Sequence, residues 1–138
     1  MKGGLVMGSQ KVRTKLSTKN DYHIPEYRRL ELKYFCLQYG DYKEYLKTYH
    51  GRKGTSEWSD PTGEEAVKRR LYSSYIEVIE ETARKTGGDI SEYLLKAVTE
   101  DLSFVTLYNT YNIPCGRDYY YERYHKFWYM LSQKKHMF

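Results

Sequence analysis

Cysteine is scarce in this chain: only Cys36 and Cys115 occur in 138 residues. Two such distant residues make neither a disulfide framework nor a paired-cysteine metal knuckle, and an intracellular compartment is the natural expectation. Long hydrophobic runs are also missing, with a mean hydropathy of −0.84 and nothing approaching the ~20 apolar residues of a membrane span. The opening Met1-Lys2-Gly3-Gly4-Leu5-Val6-Met7-Gly8 has too short an apolar stretch for a signal peptide. Membrane and secretory readings are therefore excluded. The four histidines, His23, His50, His125 and His136, show no metal-ligand spacing, and no cofactor fingerprint is present.

What is abundant is tyrosine, with 17 residues. Its broad apolar face and single hydroxyl suit half-buried surfaces that meet a partner. Charge is unevenly spread. Residues 1–33 carry +5, residues 34–88 balance, residues 89–112 carry −3 and residues 113–138 carry +3. A pI near 9.0 with basic ends and an acidic stretch before the last segment points toward nucleic acid.

The length fits a single domain, and the periodicity predicts an all-helical one of about five or six helices. Residues 1–22, with Lys11, Arg13, Lys15 and Lys19 and little apolar periodicity, read as a mobile basic arm, leaving 23–138 as the domain. Pro25 opens a helix over 25–38 with a stripe of Tyr27, Leu30, Tyr34 and Leu37, widened by Phe35. Gly40 is expected to break it, and Asp41 to cap a short helix bearing Tyr42, Tyr45, Leu46 and Tyr49. Residues 50–55 and 59–61 read as loop and turn. Although Gly51 to Thr55 is rich in glycine and cations, it lacks the spacing of a phosphate-binding loop. A long helix from residue 61 or 62 to 85 then carries one row of Val67, Leu71, Tyr75, Val78 and Thr82 beside another of Tyr72, Ile76, Ile79 and Ala83. That wide apolar face fits two neighbours or a second subunit. Glu77, Glu80 and Glu81 fit a solvated face with no paired histidine, so they offer no acid–base pair.

The last third is the most informative. Asp89 or Ser91 is expected to cap a helix with Tyr93, Leu94, Leu95, Ala97 and Val98, and Ser103 a shorter one over 104–111. Asn112-Ile113-Pro114 forms a turn before a long helix over 116–134 with Tyr120, Tyr124, Phe127 and Leu131 inward. Short helix, turn and longer helix over 103–135 match a helix-turn-helix. Ile113 would plug the angle between the helices, Leu107 face it and Tyr120 close the core. The outward side then supplies the candidate DNA-binding residues Arg117, Asp118, Tyr119, Glu122, Arg123 and Lys126. Arg117 and Asp118 lie where recognition helices read bases, and arginine there can grip guanine through two hydrogen bonds. Arg123 and Lys126 suit phosphate anchoring. Glu122 would accept from cytosine N4 or pair with Arg123.

Leu94-Leu95-Lys96-Ala97-Val98-Thr99-Glu100-Asp101-Leu102-Ser103, followed by Ile113-Pro114-Cys115-Gly116-Arg117-Asp118-Tyr119-Tyr120-Tyr121 and Lys126-Phe127-Trp128, resembles the phage-encoded RinA/ArpU-type transcriptional regulators. Leu30-Glu31-Leu32-Lys33-Tyr34-Phe35 and the Asp60-Pro61-Thr62 helix start also fit, so the resemblance covers roughly residues 24–135. It implies a phage or prophage protein of the bacterial cytoplasm. Such a protein would bind double-stranded DNA through a helix-turn-helix like region 4 of sigma factors and regulate late phage genes. Where that family has more basic residues, this chain has Tyr119, Tyr124 and His125. No enzymatic activity is expected; Cys115 at a helix start has no orienting partner or oxyanion-hole motif. Two alternatives stand beside the regulator. One is a module that binds a host protein, such as RNA polymerase or a defence nuclease; the other is a packaging or architectural protein that oligomerises through the 61–86 helix. A homodimer is plausible because one small helix-turn-helix rarely provides enough contacts for a tight site.

Overall fold

Pro25 sets the first boundary of the fold. Its backbone is extended (φ −60°, ψ 147°) and it sits just outside the helix it introduces, with its carbonyl accepting from Arg29 N–H at 3.0 Å. The computed structural model describes residues 17, 19–55 and 63–135. Among them lie six α-helices, one 3-10 turn and no strand: α1 (Glu26–Leu37), α2 (Tyr39–Thr55), α3 (Gly63–Gly87), the turn Gly88–Ile90, α4 (Ser91–Glu100), α5 (Phe104–Asn109) and α6 (Arg117–Lys135). The fold of the described residues is thus all-helical. No helix among the described residues is long and apolar enough to cross a membrane.

The stripe expected on α1 is rotated. Tyr27 and Tyr34 are 86% and 58% exposed, whereas Leu32, Phe35 and Cys36 are buried. A tyrosine tolerates solvent through its hydroxyl, so counting it as apolar shifts the apparent phase of the helix. The inward side is instead fastened by a polar clamp. Arg28 donates from Nε to Ser132 Oγ and from Nη2 to the Ser132 carbonyl, both at 3.0 Å, tying α1 to the end of α6.

Gly40 does not interrupt the chain. The break falls at Gln38, and α2 already includes Tyr39, Gly40 and Asp41. A mid-helix glycine costs only about 1 kcal/mol, and aromatic packing outweighs that: the Tyr42 ring lies 5.9 Å from Phe35, 4.8 Å from Tyr72 and 5.3 Å from Tyr75. Asp41 stands in the first turn rather than as a cap, and α2 continues through residues 50–55, read from the sequence as loop. The expected turn at 59–61 lies outside the described residues.

The central helix is α3. Its first half meets α2 through the tyrosine cluster, and its second half packs against α4 and α6. Ile79, Thr82, Ala83, Thr86 and Gly87 are buried, while Val67 and Leu71 remain exposed near its start. Thr82 and Thr86 hydroxyls donate to the carbonyls of Val78 and Thr82, so neither is left unpaired in the core. At its end, a Cβ on Gly87 would lie 3.1 Å from Ser91 Cβ and 3.2 Å from Leu94 Cδ2, and Gly88 takes a φ of +57°. This pair lets α4 fold back directly onto α3. The N-cap position of α4 is Ile90, which makes no side-chain cap; Asp89 and Ser91 do not play that role.

Two short helices then end in the same way. Asp101 adopts φ 58° and Leu102 N–H reaches back to the Ala97 carbonyl at 3.1 Å; Asn112 adopts φ 56° and Ile113 N–H reaches the Leu107 carbonyl at 3.0 Å. The first is a six-to-one closure and the second reaches one residue further, each around a left-handed residue, a conformation that Asp and Asn tolerate better than other side chains. Ser103 caps α5 as expected, its Oγ accepting from Thr106 N–H at 3.2 Å. That helix stops at Asn109, two residues short of the expected end, because the left-handed closure begins to draw off its carbonyls there.

Candidate nucleic-acid interface

Leu107, Ile113 and Tyr120, the three residues expected to close the angle between α5 and α6, are all buried. The Phe104 ring joins them, 5.5 Å from Tyr120 and 6.4 Å from Tyr121. Burying one such large apolar side chain contributes about 1.5–3 kcal/mol, so this small core fixes how α5 stands against the start of α6. The rest of α6 is buried over a wide sector. Phe127 and Leu131 are inward as read from the sequence, but so are Tyr121, His125 and Trp128. Tyr124 is half-buried.

The six candidate residues line the first three turns of α6, and most have partners within the chain. Arg117 is half-buried with its guanidinium 5.3 Å from the centre of the Phe104 ring. Asp118 is exposed. The Tyr119 hydroxyl donates to Asp89 Oδ1 at 2.8 Å, which fastens the start of α6 to the 3-10 turn and holds the phenol above its ordinary pKa. Arg123 lies over the Tyr119 ring at 3.7 Å and pairs with Glu122 at 2.9 Å. Its Nε is buried with no hydrogen-bond partner. Lys126 lies 6.0 Å from the centre of the Tyr22 ring.

The structure therefore brings Tyr119, Glu122 and Arg123 together, with Arg117 held apart on Phe104. The outward stripe of α6 runs Asp118, Glu122, Lys126, Tyr129 and Gln133, mixed in charge rather than basic. Stacking keeps both guanidiniums ordered and partly desolvated, which lowers the entropy lost when they engage a planar or anionic group.

Beside these residues lies a set the sequence reading passed over. Val105, Tyr108 and Tyr111 are exposed along one side of α5 and its exit, with Lys96 Nζ 4.7 Å from the Tyr111 ring centre. Their spacing of three, out of phase with Phe104 and Leu107, was the available signal. At the opposite border, residues 19–22 form a turn in which Tyr22 N–H bonds Asn20 Oδ1 at 2.8 Å, and the Tyr22 ring rests 5.5 Å from that of Tyr129. The end of the expected basic arm is thus seated on α6, while residues 1–16 and 18 lie outside the described residues.

Among the described residues, Cys36 is buried and Cys115 is half-buried at the approach to α6. Burial pushes the Cys115 thiol above its ordinary value, and nearby Asp89 adds to this against the opposing Arg123. Among the described residues, no three His, Cys, Asp or Glu side chains gather as a metal ion would require. No family model, curated protein or solved structure matches the chain.

Proposed function

We propose that the chain is a phage or prophage transcriptional regulator of the RinA/ArpU type that acts in the bacterial cytoplasm. It would dock a helix-turn-helix, formed by α5, the turn at 110–116 and α6, onto double-stranded DNA. The observation that carries this reading is the joint burial of Leu107, Ile113 and Tyr120 behind a Ser103-capped helix. This supports a fixed angle for α5, and Asp118, Tyr119 and Glu122 are exposed on the first turns of α6, where a recognition helix would meet the groove. Arg117 leaves the Phe104 face to read guanine; Arg123 and Lys126 hold phosphates. Because Glu122 already pairs with Arg123, engaging DNA requires that pair to open or be shared, so each copy makes few phosphate contacts and a dimer is needed for tight binding.

Anisotropy binding to phage-promoter and random duplexes across a salt series tests this. Four to six phosphate contacts over a dimer give a log–log slope of roughly −4 to −5. Removing Lys126 lowers the slope by about 1, whereas removing Arg117 relaxes sequence preference. A flat salt response with no preferred sequence refutes the reading. The mixed charge of the outward stripe and the exposed Val105, Tyr108 and Tyr111 favour a second reading, a module that binds a host protein such as RNA polymerase. That reading predicts a stoichiometric partner recovered from nuclease-treated lysate. Exposed Val67 and Leu71 on α3 offer a surface for self-association, which light scattering measures directly.

A further inference from the structure

A cleft of about 250 Å³ opens where α1, the link between α4 and α5, and α6 meet; its walls are Arg29 and Lys33 from α1, Asp101, Leu102 and Ser103 from the link, and Tyr120, Tyr121 and Tyr124 from α6. Apart from Tyr120, as a core residue, and Ser103, as the cap of α5, none of these is needed for the helix-turn-helix reading. The cleft is rich in donors. Arg29 and Lys33 supply two cations, and Tyr120 contributes a hydroxyl that is buried without a hydrogen-bond partner. Burial holds that hydroxyl in its neutral form, with the neighbouring Tyr124 and Tyr121 hydroxyls adding to the effect, so it stays a donor. The acceptors present are engaged at the rim. Asp101 is exposed and lies 3.6 Å from Lys33, the exposed Glu26 carboxylate accepts from Arg29 Nε at 3.3 Å and Nη2 at 3.0 Å, and Ser103 Oγ is occupied by its cap.

We infer that this cleft is a binding site for a small phosphate monoester, or for inorganic phosphate, independent of any DNA-binding role. Two cations and a buried phenol converge from three directions, which the three terminal oxygens and higher negative charge of a phosphate monoester match more fully than a singly charged, planar carboxylate does. The Tyr121 and Tyr124 rings form an apolar wall for a small organic body, and the volume excludes a nucleotide-sized one. A ligand here bridges α1 to the link before α5, so its occupancy stiffens the approach to the α5–α6 unit.

The test is titration of the whole chain with phenyl phosphate and with inorganic phosphate at fixed ionic strength, followed by amide NMR and calorimetry. The expected result is saturable one-to-one binding with shifts clustered at Asp101, Leu102, Ser103 and Tyr124, and acetate at least about tenfold weaker. Tyr120→Phe keeps the packed ring and loses roughly tenfold in affinity, as removal of a hydrogen bond to a charged group does; Lys33→Gln loses about as much. Shifts scattered over surface lysines, or equal affinity in both variants, overturn the inference. So does competitive displacement of phenyl phosphate by a short duplex, which would make the cleft part of a nucleic-acid surface instead.

Discussion

Replacing Tyr120 with phenylalanine should stabilise the ligand-free protein. The ring is 1% exposed and packs 5.5 Å from Phe104, 5.0 Å from Tyr121 and 5.7 Å from Tyr124. All of those contacts survive in Tyr120→Phe. What disappears is a buried hydroxyl without a partner, and leaving such a group unsatisfied costs about 1–3 kcal/mol. The void left by one oxygen returns part of this through lost dispersion contacts. A net gain of about 1 kcal/mol remains, equivalent to a Tm increase of roughly 3–5 °C at this chain length. Tyr42→Phe is the matched control. Its hydroxyl donates to the Phe35 carbonyl at 3.3 Å, a carbonyl that also accepts from Gln38 N–H. Removing that donor leaves an acceptor still partly satisfied, and the expected loss is about 0.5–1 kcal/mol. Urea denaturation followed by far-UV circular dichroism measures both, with unchanged m-values as the sign that only stability has moved. The reasoning depends on opposite signs. A Tyr120→Phe variant less stable than the parent by 0.5 kcal/mol or more would mean that the hydroxyl has a partner after all, and the account of the cleft would lose its donor.

Other outcomes follow from the same geometry. Leu107→Ala and Ile113→Ala, each emptying a buried position between α5 and α6, should cost about 2–5 kcal/mol in urea melts, and Ile113→Val only about 0.5–1.5. Ser103→Ala removes the cap on Thr106 N–H and should cost about 0.5–2 kcal/mol, with amide exchange accelerated first in α5. Glu81 is held below the ordinary value of 4.5 by its hydrogen bond to Lys134 and by Lys85. Its contribution is therefore present above pH 4.5 and lost as pH falls through the lower folded value; Glu81→Gln should flatten that acid limb of a stability–pH curve. At the other extreme, burial raises the folded values of Tyr39, Tyr42, Tyr120 and Tyr124 above 10.0. The unfolded chain gives up those protons first, so stability should fall as pH rises above 10, and the tyrosinate absorbance of these four should appear together with unfolding.

Helix existence was legible in the sequence because capping and turn chemistry are local. Ser103 three residues before Thr106, Gly87-Gly88, and Asn112 before Ile113 each act within one turn of chain, and each stands where the pattern placed it. Phase was less legible. With 17 tyrosines, apolar periodicity loses contrast, since each tyrosine satisfies both an inward and an outward position. Tyr27 and Tyr34 turned outward while Tyr42 and Tyr120 turned inward, and nothing within their own helices separates the two cases. The decision is made by distant residues: Tyr72 and Tyr75 receive Tyr42, and Phe104 receives Tyr120. The reach of α2 through residues 50–55 was hidden for a similar reason, as glycines and cations favour a loop only when no neighbour holds the helix.

The electrostatics of α6 were the least legible part, and they constrain any binding mode most. A residue list gives Arg117, Arg123 and Lys126 as a basic face; the fold places Arg117 on Phe104 and Arg123 between Tyr119 and Glu122. Tyr119 is itself held by Asp89, one of the four carboxylates of the acidic stretch at 89–112. That stretch thus meets the basic segment after it through the Tyr119 hydroxyl, while Arg123 is paired within its own segment by Glu122. A DNA complex must exchange these internal pairs for phosphate contacts, and much of the Coulomb gain is then offset by the pairs given up. Asp89→Ala tests this exchange: it removes the acceptor of the Tyr119 hydroxyl and one negative charge without adding a cation. If internal pairing restrains the interface, this variant should bind duplex DNA more tightly than the parent at low salt, by roughly two- to fivefold. Unchanged or weaker affinity, in a variant with the parent's circular dichroism, would show that the Tyr119 tether positions α6 for binding rather than restraining it.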